Sequence, residues 1–326
     1  MRGHTRWAAA IVFILAAGVA IPVARADDAY PAKPVHVLVG FPAGSVADIV
    51  IRLLGQKASA ELGQPFVVEN RPGASSNIAA ELVARAPKDG YTLLMATIAN
   101  TINASLYHNL SFSFGSDLAP VMMVASVPTV LAVNPQLPAH NVAELIGLAK
   151  EKPGQLFFAS SGNGTFTHLL GELFNMTADV KLAHVPYKGS PEVLADLIAG
   201  RVMVTFIPAS AVLQHGKEGS VRLLATTGPR RTAAAPGLPT VAEAGLPGFE
   251  GSLWMGVLAP AGTPRAVVDR LAKALASALA APDVKATLAG QGIDQVGLGP
   301  AEFAAYIRQD TDKWGKVVKA IGLKIE

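Results

Sequence analysis

Short apolar runs alternate with helical stripes along most of the chain. Val35–Val39 reads as a strand, and Asp48–Leu62 carries Val50, Leu53, Leu54, Ala58 and Leu62 on one helical face. Phe66–Glu69 is a second strand, Asn77–Ala86 a second helix with Ile78, Leu82 and Val83, and Tyr91–Met95 a third strand. A β-α-β-α-β order predicts a mostly parallel sheet with helices on its faces.

The alternation restarts at Val130–Val133. Asn141 and Glu144 form a capping pair ahead of a helix reaching Lys150. Leu156–Ala159 is strand-like, a helix follows through Leu169, Leu170, Leu173 and Phe174, and His184–Tyr187 is the next strand. Ser190-Pro191 starts a helix that Gly200 stops, and Val202–Ile207 and Val221–Thr226 are further strands. Pro236–Gly248 is the clearest irregular segment. After it come a strand at Leu253–Leu258, a helix begun by Thr263-Pro264 and carrying Val267, Val268, Leu271 and Leu275, and a last helix with Phe303, Tyr306, Ile307, Trp314, Val317 and Val318. The pattern fits two α/β domains; it does not say where the chain crosses between them.

The N-terminus changes how the charge is read. Residues Met1–Ala26 combine Arg2 and Arg6, an apolar run from Trp7, and the small-x-small site Ala24-Arg25-Ala26, the layout of a secretory signal peptide. The rival, a membrane anchor, would have to span with a short run containing Gly18 and Pro22. The full chain of 326 residues is formally +3, with 27 basic against 24 acidic residues. Cleavage after Ala26 removes Arg2, Arg6 and Arg25 and no acid, so the exported chain is formally neutral, with no basic cluster suited to nucleic acid. The chain has no cysteine, which excludes disulfides, thiol catalysis and cysteine-ligated metal.

Candidate chemistry gathers in three stretches read as a strand, a loop of small polar residues, then a helix. They are Phe41–Ser45, Thr97–Asn103 and Ser160–Thr165. In open parallel sheets ligands bind beyond the carboxyl ends of strands, and the first N–H groups of a helix lack intrahelical partners and favour an anion. Several such termini could hold a carboxylate without arginine. Simpler readings stand beside this: Ser45 and Asp48 match a capping box, and Ser160–Thr165 suits an ordinary turn. Lys188 could touch an anion or be a solvated loop residue. Gly162-Asn163-Gly164 lacks the third glycine of a dinucleotide fingerprint, and the chain has no phosphate loop and no nucleophile elbow. The seven histidines are scattered; His168 and Glu172 lie one turn apart without the second histidine of a zinc motif. Trp254, Trp314 and Phe303 read as core.

The ordered set Tyr30-Pro31-Ala32-Lys33-Pro34, Phe41-Pro42-Ala43-Gly44, Asp48, Glu69–Gly73, Asp89–Leu94, Ser160–Thr165 with His168, Val185–Gly189, Pro239–Gly245 and Leu258–Pro264 resembles the Bug family. These are extracytoplasmic solute receptors of tripartite tricarboxylate transporters. The resemblance implies an α/β type II periplasmic binding protein, with two α/β lobes joined by crossover strands and a ligand cleft between them. The first lobe would comprise residues 27–126 and 251–326, the second 127–250. It implies a monomeric, non-catalytic periplasmic receptor without cofactor or metal, passing a small carboxylate to integral-membrane permease subunits. Carried over by position, the ligand contacts are Phe41, Ala43, Gly44, Ser45, Thr97 and Asn100 in the first lobe. In the second they are Ser160, Ser161, Gly162, Asn163, Gly164 and Thr165, with Tyr187 and Lys188 at the cleft wall and Ile207 beyond.

The departures bear on the ligand. Ser45 and Ala47 stand where the family has a second glycine and a Ser/Thr, Ile207 where an aspartate is frequent, and Phe166 where a small polar residue is common. Loss of a carboxylate and gain of apolar surface argue against an amino acid, whose ammonium would lack a partner, and for a weakly polar or aromatic acid. Ile207 as a packed strand residue is the simpler alternative. Two other functions remain at this point: a periplasmic sensor, and a secreted α/β hydrolase using Ser45 or Ser160.

Overall fold

The computed structural model describes residues 30–107 and 109–323, so the signal-peptide reading and His108 lie outside the described residues. The first sheet contains β1 (Val35–Val39), β2 (Phe66–Asn70), β3 (Thr92–Thr97), β4 (Leu118–Val127), β10 (Leu253–Pro260) and β11 (Asp294–Leu298). Its order is β11-β4-β10-β3-β1-β2; β1 pairs in parallel with β2 and β3, whereas β10 runs antiparallel to β3 and β4. The second contains β5 (Thr129–Val133), β6 (Phe157–Ser160), β7 (Ala183–Pro186), β8 (Val204–Pro208) and β9 (Arg222–Thr226), in the order β7-β6-β8-β5-β9.

The chain leaves the first sheet at Val127, turns through Pro128 into β5, and returns at Leu253. Main-chain bonds tie the two passages together. Thr227 N–H donates to Thr129 O at 2.9 Å and Gly251 N–H to Thr227 O at 2.8 Å, while the Thr227 hydroxyl donates to Gly251 O at 2.8 Å.

The helices follow from local chemistry. In α1 (Val46–Leu62), Ser45 caps the start, Val50, Ile51, Leu54 and Ala58 form the buried stripe, and Gly63 ends the helix in the left-handed conformation. The next is α2 (Asn77–Ala84), and α3 (Ile98–Leu106) begins directly after β3 behind the N-cap Thr97. In the second lobe lie α4 (Val142–Glu151), α5 (Phe166–Ala178), α6 (Ser190–Ile198) and α7 (Ala209–Lys217). Then come α8 (Arg265–Ala280), α9 (Pro282–Gly290) and α10 (Pro300–Ile321), the last burying Phe303, Ile307, Trp314, Val317 and Val318. Trp254, Trp314 and Phe303 are core residues, as their sequence context suggests.

Five elements depart from the sequence reading. Thr97–Asn103 is not a loop before a helix: the helix itself starts at Ile98. The strands β4 and β11 and the helices α7 and α9 have no counterpart in the sequence pattern. β4 hides because it is buried nearly throughout, erasing the alternation of period two, and because Pro120 interrupts it at an irregularity in its pairing with β10. Among the described residues no helix is long and apolar enough to cross a membrane.

Candidate functional site

The N-terminal ends of α1, α3 and α5 open on one cavity of about 350 Å³ between the two sheets. Ser45, Val46 and Ala47 contribute the first end, Thr97, Ile98 and Ala99 the second, and Gly164, Thr165 and Phe166 the third. The N–H groups of Val46, Ala47, Ile98, Phe166 and Thr167 precede any possible intrahelical acceptor. Among the described residues no ionisable side chain lines the cavity; Ile98, Ile102 and Leu106 form an apolar stripe along α3, and Phe41, Phe166, Leu253 and Met255 close the sides.

The first loop is held from below by Asp48. Its Oδ2 accepts from Gly44 N–H at 3.0 Å, and its Oδ1 accepts from Arg52 Nε at 2.9 Å and Asn70 Nδ2 at 2.8 Å. Asn70 Nδ2 also donates to Phe41 O at 3.1 Å, so one buried carboxylate and one amide set both ends of Phe41–Gly44. Gly44 has φ +81°, a conformation that favours glycine. Burial pushes the Asp48 carboxyl up, but the bonds from Arg52, Gly44 and Asn70 and the Arg52 charge outweigh it and hold it below its ordinary value.

A second buried carboxylate orients α3. Asp310 Oδ2 accepts from the Thr101 hydroxyl at 2.9 Å and Trp254 Nε1 at 2.8 Å, while Oδ1 accepts from Trp314 Nε1 at 2.9 Å and Lys313 Nζ at 3.0 Å. Trp314 then meets the cavity-lining Phe166 edge-on, with centroids 5.6 Å apart. Asp310 has no local signature: it sits in the polar run Arg308–Lys313 beside the similar Asp312.

The second-lobe loop rests on neutral groups. Gly164 N–H donates to His168 Nδ1 at 3.1 Å, which fixes that nitrogen as an acceptor. His168 stacks on His184, centroids 3.7 Å apart and planes 10° from parallel, and His184 Nε2 pairs with Ser160 Oγ at 2.6 Å. Burial pushes both rings down to about 4, His184 also through the neighbouring His168. Thr165 Oγ1 donates to Gly162 O at 2.7 Å, and Ser161 N–H donates to Thr167 Oγ1 at 3.0 Å.

Residues 50–323 match the TctC family, described as tripartite tricarboxylate transporter family receptor. Protein BugT of Bordetella pertussis is 36% identical over 317 residues, covering 97% of either chain. The chain belongs to the tripartite tricarboxylate transporter receptor family. An adipate-bound protein from R. palustris is 36% identical with a TM-score of 0.71, covering 90% of this chain and 99% of that one. MatC of Rhodopseudomonas palustris, with bound malate, is 29% identical with a TM-score of 0.68, covering 89% and 100%. The two α/β lobes with crossover strands are thus the type II periplasmic binding fold of this receptor family.

Within the TctC fold the residues singled out from sequence divide in two. Phe41, Ser45, Thr97, Asn163, Gly164 and Thr165 line the shared cavity. Ala43 and Gly44 are on the exposed shoulder of the first loop. Asn100 is buried behind it, its Oδ1 accepting from Thr97 N–H at 3.0 Å in a capping box and its Nδ2 left without a partner. Ser161 and Gly162 shape the second loop from outside the lining. Ser160 is fully buried beneath that loop, so its short contact with His184 does not reach the cavity and gives no accessible nucleophile. Tyr187 donates to Asp196 at 2.7 Å; burial and Asp196 push its hydroxyl up to about 12. Lys188 is an exposed loop residue. Ile207 is 1% exposed and packs with Val130, Val193 and Val212, so it is core and not cavity wall, because β8 is central in its sheet. Ile102 and Asn103, inside the candidate stretch but not among its expected contacts, line the cavity with Leu106 because 98–106 is a helix, and Ser75 joins them from the turn 74–76, which has no sequence signal of a site.

Proposed function

We propose that the chain is an exported periplasmic receptor that captures a small acid with an apolar body and presents it to the membrane subunits of a tripartite tricarboxylate transporter. The observation that carries this is the convergence of three helix N-termini on one uncharged, mainly apolar cavity. Unpartnered N–H groups and the positive ends of three helix dipoles favour a carboxylate, each contact contributing about 0.3–1 kcal/mol when exposed and up to ~2 when partly buried. The rest of the cavity suits hydrocarbon or an aromatic ring and offers no acid to an ammonium group.

Two of the termini belong to the first lobe and the third to the second. A carboxylate bridging them binds the closed arrangement more tightly than either lobe alone, which is the differential affinity that closure by hinge motion requires. Such a site releases its ligand unchanged. Adipate and malate in relatives support a carboxylate ligand; the apolar lining here supports a less polar acid than either.

The test is titration calorimetry of the purified chain against amino acids, aliphatic diacids and aromatic monoacids, with the ligand recovered and identified afterwards. Stoichiometric binding of monoacids, recovered intact, is expected. Binding confined to amino acids, or conversion of the ligand, would overturn the reading.

A further inference from the structure

Beyond the carboxylate end, the cavity follows α3 away from its N-terminus, past Ile102 and Asn103 to Leu106. Asn103 is 3% exposed, and its Nδ2 donates to Ser75 O at 2.8 Å and to Asn77 Oδ1 at 3.0 Å. Both partners are acceptors, so the amide can be oriented only one way, and its Oδ1 is left with no hydrogen bond on a side chain that lines the cavity. The turn it clasps is strained. Ala74, Ser75 and Ser76 have φ of +44°, +50° and +77°, three successive non-glycine residues in the left-handed region. Gly40 lets that turn approach, since a Cβ there would stand 2.5 Å from Ser76 Cα. Strain of this kind persists where the surroundings impose it and gathers at ligand-binding walls.

We infer that Asn103 is the specificity residue of the cavity, its Oδ1 accepting a hydrogen bond from a hydroxyl at the far end of the ligand. The inference rests on the carboxylate reading of the near end. Five residues of helix rise separate Ile98 from Asn103, roughly 7.5 Å, and the side chain leans back toward the N-terminus. The ligand is therefore a hydroxy acid whose apolar body, a ring for example, holds its hydroxyl about 6–8 Å from the carboxylate. A second carboxylate at that position would face an acceptor oxygen, with both donors of Asn103 already engaged, so diacids are disfavoured. An ammonium group would find an acceptor but no counter-charge.

The test compares para-hydroxybenzoate with benzoate, and para-hydroxyphenylpropanoate with phenylpropanoate, by calorimetry on the wild type, Asn103→Leu and the smaller deletion Asn103→Ala. In at least one pair the wild type should prefer the hydroxylated acid by about tenfold, the scale of one buried hydrogen bond. Both variants should reduce that preference to under about threefold while still binding the deoxy acid. Retained binding of the deoxy acid reports that a variant is folded with its carboxylate end intact. Equal wild-type affinities within both pairs, or a preference that survives either substitution, would overturn the assignment to Asn103. Failure of all four acids to bind the wild type would instead strike the carboxylate reading on which it depends.

Discussion

The two lobes fasten their ligand loops by opposite means. In the first, carboxylates lie beneath the cavity wall: Asp48 under α1 and Asp310 under α3, each accepting from at least three donors. In the second, a neutral imidazole stack and hydroxyl groups do the equivalent work under α5. A buried carboxylate surrounded by donors holds its geometry over a wide pH range but leaves several donors stranded if it is removed. A neutral histidine costs less to bury, and it loses its acceptor nitrogen once protonated. The first lobe should therefore be sensitive to mutation and the second to acid.

The largest effect is expected at Asp310. Asp310→Ala strands the Nε1–H groups of Trp254 and Trp314 and the Thr101 hydroxyl in the core, and should cost about 3–5 kcal/mol in a denaturant titration. Asp310→Asn keeps one acceptor oxygen and the shape but turns an NH2 group toward the donors on the other side, so it should recover only about 1 kcal/mol of that loss. Equal losses would mean that the wall needs acceptors on both sides of the residue.

Acid should act next. His168 and His184 ordinarily titrate near 6.5 and are pushed down to about 4 by burial. Between those values the unfolded chain binds protons that the folded chain refuses, so stability present above pH 6.5 is lost as pH falls toward 4. Glu172, pushed up by burial and 3.9 Å from His168, works in the other direction and softens the loss. Discounted for the solvent that reaches the partly buried His184 and for the opposing Glu172, the two rings together should remove on the order of 3 kcal/mol. His184→Phe should roughly halve the pH slope of the melting temperature; an unchanged slope would place the acid sensitivity outside the stack.

Asp48→Ala should follow, at about 2 kcal/mol, because Arg52 is half exposed and recovers water while Asn70 and Gly44 N–H lose a partner. Its effect on ligand affinity should exceed its effect on folding, since Gly44 and Phe41 are the atoms it positions. A matched loss in both would make Asp48 a stabilising residue only.

The same contrast decides what could be read from the sequence. Ser45 was legible because an N-cap requires a small oxygen-bearing side chain, and that requirement is local; Thr97 and Thr165 are N-caps too, but the sequence marked them only as members of small polar stretches. Asp48 was legible as part of the same cap. The His168–His184 stack was not, because it joins α5 to β7 across the fold and neither residue has a local signature. Asp310 was hidden for a related reason: its burial depends on which face of α10 meets Trp254, and its polar neighbours conceal that face. Asn103 was marked only as the end of the candidate stretch Thr97–Asn103, and its place in the wall was hidden by reading that stretch as loop, since only a helix sets Ile98, Ile102 and Leu106 in line beside it.

The smallest expected effect lies where the two lobes meet. Phe166, from the second lobe, meets Trp314, from the first, at 81° between ring planes, an arrangement worth about 0.5–1.5 kcal/mol beyond the area it buries. Because the partners belong to different lobes, that energy counts toward closure over the ligand and not toward folding either lobe. Phe166→Leu fills most of the volume and discards the edge-on contact, so it should raise the ligand Kd about fivefold and barely move the melting temperature of the ligand-free chain. Pairing it with Trp314→Phe in a double-mutant cycle isolates the contact: a coupling of about 1 kcal/mol in binding with none in unfolding marks a closure latch. Coupling of the same size in both would make the pair ordinary core, and the aromatic residue at 166 would then act on the ligand by shape alone.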